Sequence, residues 1–207
     1  FERELSITMT FVNNNRDVIF ITTDMLDNDN AGNLINDSQF VMDTTIGSAN
    51  YDIGHTFSTG GGGLAQLNSP CVTGSKARGI TGLPAPVGDS YDVEYVTHEM
   101  GHQYGAPHTF NGDAGGCNGN RTPSNAYEPG SGSTIMAYAG LCAPQNVQAG
   151  TDDYFHQKSL QMIWAYVSGG NGNLCPEMTA TGNVAPTAAA GPNYTIPIST
   201  PYMLEGS

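Results

Sequence analysis

Residues 98–108 read HEMGHQYGAPH, so three histidines and one glutamate lie within one short stretch. His98 and His102 are four positions apart, and a helix would bring their imidazoles to one face, about 6 Å apart. Gly105 lets the chain leave this helix in a conformation that other residues resist, and the turn brings His108 round as a third ligand. Three protein ligands leave an open coordination position, which is typical of a catalytic zinc site.

Glu99 follows the first of these histidines and can reach a metal-bound water rather than the metal itself. Zinc lowers the pKa of such a water to about 7, and Glu99 would accept its proton as the general base. The shorter pattern HExxH arises by chance fairly often on amphipathic helices. The full HExxHxxGxxH spacing is far more restrictive, and it predicts a zinc site with His98, His102 and His108 as the ligands.

Residues 133–140 read STIMAYAG and provide a second signal. In metzincin metallopeptidases the long zinc motif is followed by a tight turn with a methionine beneath the zinc, and Met136 matches that methionine. Four stretches resemble bacterial secreted reprolysin-like (M12B-type) metallopeptidases: SANYDIGHTFSTGGGGLAQL, GSKARGITG, YVTHEMGHQYGAPHTFNG and YEPGSGSTIMAYAG. The resemblance covers about residues 1–178, and the tail resembles the opening of an immunoglobulin- or PKD-like repeat.

This resemblance implies a particular fold and site. The fold would be α/β (α+β), a metzincin catalytic domain with a twisted mixed β-sheet, an active-site helix and a C-terminal helix. The zinc cleft would run across the front of the domain. The resemblance places the three ligands, the general base and the methionine of the turn at His98, His102, His108, Glu99 and Met136.

The resemblance also implies how a substrate binds. The stretch GLAQL matches the edge strand that pairs with an extended substrate in this family, and such pairing selects peptide backbone. The expected partner is therefore a protein or peptide in extended conformation. The residues of this substrate-binding edge would be Gly63, Leu64, Ala65, Gln66 and Leu67.

The sequence departs from the family pattern at three places. Animal reprolysins usually carry Asp after the third histidine, whereas Thr109 stands here, so different hydrogen bonding beneath the site is expected. Tyr138 lies two residues after Met136, as in astacins and serralysins, where this tyrosine is a switchable zinc ligand that stabilises the oxyanion. Here it is either that or a packed aromatic. Family members also have a strand and a helix before the segment that matches Phe1. Either a cleaved N-terminal segment of the same precursor supplies them and stays attached, or they are not in this chain.

The four cysteines form no CxxC pair, which disfavours a cysteine zinc site. Their even count and wide spacing indicate two disulfides in an oxidising compartment, against the alternative of four free thiols. Three pairings are possible. We favour Cys117–Cys142, which would tie the loop after the histidines to the segment around Met136, and this leaves Cys71–Cys175. The latter pair also resembles the reprolysin link from the edge region to the C-terminus.

The composition limits the classes of partner. Six basic and nineteen acidic residues give a net charge of −13, which repels phosphate backbones and disfavours nucleic acid. The same charge suits a soluble extracellular protein, and its spare carboxylates make Ca²⁺ a candidate cation beside Zn²⁺. No run of apolar residues is long enough to span a membrane. The chain shows neither an initiator Met nor a signal peptide, which indicates a processed or truncated secreted product.

The pattern of apolar residues predicts the elements around the site. The catalytic domain is assigned to residues 1–178. Residues 179–207 are rich in Pro, Thr, Ala and Gly, and they are interpreted as a linker and the first strand of a truncated Ig/PKD-like domain. The predicted helices cover residues 34–46, a stretch from Asp92 onward, and residues 153–168. The predicted strands cover residues 3–11, 18–23, 51–59, 63–67 and 77–81.

Two classes of function fit these features. The first is a secreted zinc endopeptidase, and the second is a metal-binding but inactive adhesion or assembly module. The intact Glu99 favours the enzyme, because a degenerate site usually loses its base first. A purely structural zinc domain is disfavoured, because the sequence offers no fourth protein ligand other than Tyr138.

Overall fold

The computed structural model describes residues 1–22, 25–184, 186–189 and 191–203. Contacts between residues divide the chain into two units, Phe1–Pro176 and Glu177–Ser207. The described part of the second unit contains no helix or strand, so its assignment as the start of a repeat domain stays a prediction. None of the helices in the described residues is both long and apolar enough to cross a membrane.

Three strands of the described chain form one mixed sheet, and the predicted mixed sheet is thereby confirmed. Strand β1 covers Thr56–Ser58, β2 covers Gly62–Ala65 and β3 covers Gly79–Gly82. The central strand β3 is fully buried and pairs in parallel with β1 and antiparallel with β2. Strand β2 therefore has one unpaired edge, and most of its residues are exposed.

The helices surround this sheet. Helix α2, Ala31–Val41, begins where the Asn30 side chain accepts a hydrogen bond from Asn33 N, and it continues into a π-helical turn. The helix predicted over residues 34–46 is thus confirmed and begins earlier. The remaining helices of the described chain are α1 Glu2–Leu5, the π-helix Ser90–Thr97, α3 His98–Gln103 and α4 Gln157–Gly169. Short 3₁₀ helices cover Asn15–Val18, Gly115–Cys117, Pro123–Asn125 and Asn171–Asn173.

The strand predicted over residues 3–11 is wrong, because this segment starts with the helical turn α1. A helical turn places Phe1 and Leu5 on one face, and this face packs on the core beside Tyr104 and Phe155. The i, i+4 pair of Phe1 and Leu5 therefore determines the local structure instead of the alternating apolar pattern, and Phe11 is exposed. The strand predicted over residues 18–23 is also absent from its described part, and Thr23 lies outside the described residues.

The main core lies beneath helix α3. Helix α4 presents Ile163 and Tyr166 to this core, and the Tyr166 hydroxyl donates to the carbonyl oxygens of Asn68 and Pro70. Full burial of a side chain such as Ile163 contributes about 1.5–3 kcal/mol. His156 precedes α4, where its Nδ1 accepts from Lys158 N and caps the helix. The remaining buried members of the cluster are Leu5, Tyr104, Ala106, Ile135, Met136 and Phe155.

A polar network fixes helix α3 against the sheet. The imidazole of His55 hydrogen-bonds at one nitrogen to Gln103 on α3 and at the other to Thr81 on β3, at 2.8 and 2.7 Å. The Gln103 amide also donates to the Gly54 carbonyl and to the Ser69 hydroxyl. Because Gln103 directly follows His102, this network holds the face of α3 that carries His98 and His102 in place.

Candidate metal centre

Helix α3 and the turn after it position three histidines. His98 and His102 lie at opposite ends of α3, and His108 follows the turn at Gly105. Gly105 has a φ of +94°, which a residue with a side chain resists, and a Cβ there would lie 2.3 Å from Asn68 Oδ1. The turn closes with hydrogen bonds from Gly105 N to His102 O and from Ala106 N to the helix.

The three imidazoles converge on one point. The Nε2 atom of His108 lies 3.2 Å from Nε2 of His98 and 3.1 Å from Nε2 of His102. Zinc binds histidine nitrogens at about 2.0–2.1 Å in tetrahedral geometry, which separates two such nitrogens by about 3.3 Å. The observed spacing therefore fits one zinc ion held by three Nε2 atoms. Among the described residues, this trio is the group of potential ligands that converges in this way.

The hydrogen bonds of the histidines determine their tautomers. Each Nδ1 donates to a main-chain carbonyl oxygen at 2.6–2.7 Å, and a carbonyl can only accept. Each Nε2 therefore carries a lone pair, and three lone pairs point at one another without a proton between them. A cation satisfies all three at once, so these residues fit a bound metal. The pairs are His98 with Ile135, His102 with Ala106, and His108 with Asn120.

Burial keeps these imidazoles neutral. Desolvation, together with the neighbouring His108, lowers the pKa of His98 to about 3. The pKa of His102 falls well below its usual value for the same reasons, and desolvation also lowers the pKa of His108. Neutral imidazole is the form that binds a metal, so the site is ready for a cation at physiological pH.

Glu99 lies beside the histidines and faces the edge strand. Its carboxyl group packs directly on Gly63, because a Cβ at residue 63 would lie 2.2 Å from Glu99 Oε1. Among the described residues, the group that could hold a metal consists of the three histidines and does not include Glu99. Burial raises the pKa of Glu99 to about 8, which makes its carboxylate a stronger proton acceptor than that of an exposed glutamate.

Met136 is completely buried beneath helix α3. A Cβ on Gly101 would lie 2.4 Å from Met136 Sδ, so the glycine allows the helix to rest on the methionine. The carbonyl oxygen of the preceding residue, Ile135, accepts from His98 Nδ1, and Met136 O accepts from Thr109 N. The turn therefore supports both ends of the metal motif. Sequence reasoning did not identify Gly101, although the small residue before the second histidine was a visible signal.

The sequence profile described as metallo-peptidase family M12B, reprolysin-like, matches residues 1–165 of the chain. The chain belongs to this family. No curated protein matches it. The metallopeptidase is therefore a peptidase of a zinc-dependent family, and His98, His102 and His108 are the residues that could hold the zinc.

Tyr138 of the metallopeptidase lies next to the converging histidines. Its ring centroid is 4.6 Å from that of His108, 5.6 Å from that of His98 and 4.8 Å from that of Phe110. Burial and the charge of Glu99 raise the pKa of Tyr138 to about 12, so its hydroxyl keeps its proton at neutral pH. The ring is packed, and the protonated hydroxyl is able to donate, so both roles proposed for Tyr138, zinc ligand or packed aromatic, stay predictions.

The edge residues predicted to bind substrate lie along β2 and just beyond it. Gly63, Leu64 and Ala65 belong to the strand, whereas Gln66 and Leu67 follow it. Gln66 N donates to Arg78 O and extends the ladder by one pair. In an antiparallel ladder, bonded and non-bonded pairs alternate, so the main-chain groups of Gly63 and Ala65 face the free edge.

Two disulfides join the cysteines as the sequence analysis preferred, with Cα–Cα distances of 5.4 Å for Cys71–Cys175 and 5.2 Å for Cys117–Cys142. Cys117 O accepts from Asn120 N, and Asn120 O in turn accepts from His108. The Cys117–Cys142 bond therefore anchors the loop that orients the third histidine. Calcium stays a prediction, because the described residues contain no converging group of acidic ligands.

Three carbonyl oxygens and one carboxylate at the site were not predicted. The carbonyls belong to Ala106, Asn120 and Ile135, whose side chains carry no signal of this role. The carboxylate is Glu128, which accepts from the buried hydroxyl of Thr109 at 2.6 Å. The predicted difference beneath the site thus takes the form of a Thr109–Glu128 hydrogen bond.

Proposed function

We propose that the metallopeptidase is a secreted zinc endopeptidase that cleaves peptide bonds in extended protein substrates. The observation that carries this proposal is the convergence of three Nε2 lone pairs beside a buried glutamate. When bound, zinc supplies a Lewis acid that polarises a carbonyl oxygen and acidifies a water molecule. The chain's own residues then bind the substrate and move the protons.

Glu99 is proposed as the general base. Its buried carboxylate would accept a proton from the attacking water as the new carbon–oxygen bond forms. The same carboxyl group would then give that proton to the leaving amine as the carbon–nitrogen bond breaks. Burial raises the pKa of Glu99 to about 8 in the metal-free chain, which favours the protonated form that the second step needs. A cation held by the neighbouring histidines would lower this pKa and favour the carboxylate that the first step needs.

Tyr138 is proposed to stabilise the negative charge on the substrate oxygen. Its ring packs beside those of His98 and His108, and its hydroxyl keeps its proton, so it would donate to a carbonyl oxygen bound next to these histidines. A preorganised donor at this position is worth more in the transition state than in the ground state.

Strand β2 is proposed to hold the substrate backbone. Its free edge offers the main-chain groups of Gly63 and Ala65 to an extended peptide, which would pair with them as an added strand. Because Glu99 packs on Gly63, a peptide on this edge would lie next to the general base. The two disulfides support an oxidising, extracellular location.

The proposal is tested with casein hydrolysis and metal analysis of the purified chain. Wild-type protein should bind one zinc and cleave casein, and a chelator should abolish cleavage until zinc is added back. His102→Ala should lose most of the zinc and the activity. If the folded, zinc-loaded wild-type chain cleaves neither casein nor gelatin, the alternative of an inactive adhesion or assembly module is favoured.

A further inference from the structure

Glu128 is a buried carboxylate that the proposed chemistry does not use. Only 7% of its surface is exposed, and no cation pairs with it: the ion pairs within the described chain involve Arg3 alone. A buried charge without a counter-ion is costly unless hydrogen bonds replace its lost hydration. The surroundings of Glu128 must therefore supply those bonds.

Four donors converge on this carboxylate. Oε1 accepts from the hydroxyls of Thr109 and Thr134 at 2.6 and 2.5 Å. Oε2 accepts from the main-chain N–H groups of Ser133 and Thr134 at 2.8 and 3.1 Å. An ionised carboxylate has about four lone-pair sites, so its accepting capacity is filled. These bonds outweigh the effect of burial, which alone would raise the pKa of Glu128, and they hold that pKa below its usual value.

The donors belong to the two chain segments behind His98 and His108. Thr109 directly follows His108 and is completely buried. Thr134 directly precedes Ile135, whose carbonyl oxygen accepts from His98 Nδ1. Glu128 also joins the segments through its main chain, since its N–H donates to Thr109 O at 2.9 Å. The Glu128 side chain thus links the segment that follows His108 to the segment that accepts a hydrogen bond from His98.

We propose that Glu128 is a positioning residue that fixes His98 and His108 at the separation that zinc requires. This inference rests on the proposed zinc site and extends it to a residue outside the histidine motif. The side-chain hydrogen bonds of Glu128 go to Thr109, Ser133 and Thr134, so it acts through Thr109 and the turn at residues 133–135. Carboxylates and carbonyls commonly hydrogen-bond to metal ligands and thereby orient them. Glu128 would orient His98 and His108 indirectly, because it binds the segments that support these histidines.

Glu128→Gln is the informative change, because it nearly conserves shape, removes the charge and replaces one accepting oxygen with a donor. The amide oxygen can still accept from Thr109 and Thr134. The amide NH₂ group, however, would face the N–H groups of Ser133 and Thr134, so donors would meet donors. The turn must then shift, and the Ile135 carbonyl shifts with it. We expect zinc affinity to fall about 10–100-fold, the range typical for loss of an outer partner of a metal ligand.

The experiment measures zinc affinity by competition with a chromogenic chelator, and the visible spectrum of the cobalt-substituted protein. Glu128→Gln should weaken zinc binding, change the cobalt bands, and lower kcat with little change in KM. Thr109→Val should weaken binding less, and Thr109→Ser, which keeps the hydroxyl, should restore it. The matched control is Asp43→Asn, since the Asp43 carboxylate accepts from Gln39 and Tyr51 in a separate cluster.

The outcomes separate this proposal from the proposed function. Zinc affinity unchanged in Glu128→Gln, with a loss of stability like that of Asp43→Asn, would overturn the positioning role alone. If Glu128→Gln does not fold, equal zinc affinity of Thr109→Val and Thr109→Ser overturns it instead. A wild-type chain that binds zinc but cleaves nothing defeats the peptidase proposal, while the affinity comparison still decides the role of Glu128. A wild-type chain without zinc binding overturns both.

Discussion

At the scale of single residues, the metal site depends on the direction of three protons. Each histidine donates its Nδ1–H to a carbonyl oxygen, and these carbonyls come from three different loops or turns. A histidine whose carbonyl partner moved could rotate or change tautomer, and its Nε2 lone pair would leave the site. The preference for a metal is thus established by the main chain around the histidines as much as by the histidines.

Glu99→Gln separates metal binding from catalysis. Glutamine has nearly the same shape but cannot accept a proton from water, so zinc content and fold should be retained. We expect peptide hydrolysis to fall about 10²–10⁴-fold, the usual contribution of a general base. Steady-state kinetics with a quenched fluorescent peptide measure this, with zinc analysis of the same sample. Activity within a few-fold of wild type would remove Glu99 from the mechanism.

Tyr138→Phe removes one hydroxyl and leaves the aromatic packing intact. If the phenol donates to the oxyanion, kcat should fall about 10²–10³-fold, while KM and zinc content stay nearly constant. If Tyr138 is only a packed aromatic, none of the three quantities should change. Its ring contacts with His108 and Phe110 explain why phenylalanine should preserve the fold in either case.

At the scale of elements, strand β2 and helix α3 meet at a glycine. A Cβ at residue 63 would displace the Glu99 carboxylate, whereas a Cβ at Gly61 would meet nothing within 4 Å. Gly63→Ala should therefore lower kcat, on the order of 10²-fold for a catalytic group moved by about 1 Å. Gly61→Ala is the matched control and should behave as wild type in the same peptide assay. Equal kcat values for the two variants would show that the edge strand does not position the base.

The sequence predicts elements best where one period dominates. The helix after His156 follows a clear apolar pattern, and the histidine motif marks α3 by its spacing alone. The N-terminal segment carries two periods at once, and packing of Phe1 and Leu5 on the core selected the helical one. Local pattern cannot decide such a case, because the deciding partners lie more than a hundred residues away.

Some residues of the site could be predicted from the sequence, and others could not. The three histidines and Glu99 lie in one motif, so their convergence follows from helix geometry and one glycine. Glu128 was missed because nothing in the stretch YEPG signals a buried carboxylate. Its four donors come from segments on either side, and only the folded chain brings them together.

At the scale of the whole molecule, the two disulfides connect the periphery of the site to the rest of the domain. Cys71–Cys175 joins the segment after the edge strand to the end of the first unit, across a sequence separation of 104 residues. Closing so long a loop contributes about 4–5 kcal/mol by the chain-entropy estimate. Peptide mapping without reduction should recover both linked pairs. Four alkylatable thiols in the native protein would contradict the pairing and the secreted location.

The pH dependence of the free energy of unfolding tests how much the ionised Glu128 carboxylate stabilises the whole fold. The pKa of Glu128 lies below its ordinary value of 4.5 in the folded chain, so its ionised form favours folding. This contribution is fully present above the unfolded pKa and is lost as the pH falls through the folded pKa. Glu128→Gln lacks it at every pH.

The free energies of unfolding of wild type and Glu128→Gln should therefore differ by a constant amount from about pH 7 to pH 5, and the difference should shrink below about pH 4. Urea unfolding in the presence of a chelator measures this without a contribution from metal loss. Asp43→Asn, tested in parallel, reports how much a hydrogen-bonded carboxylate away from the site contributes to acid sensitivity. A difference that persists unchanged to pH 3, or grows on acidification, would mean that the four hydrogen bonds do not favour the ionised carboxylate.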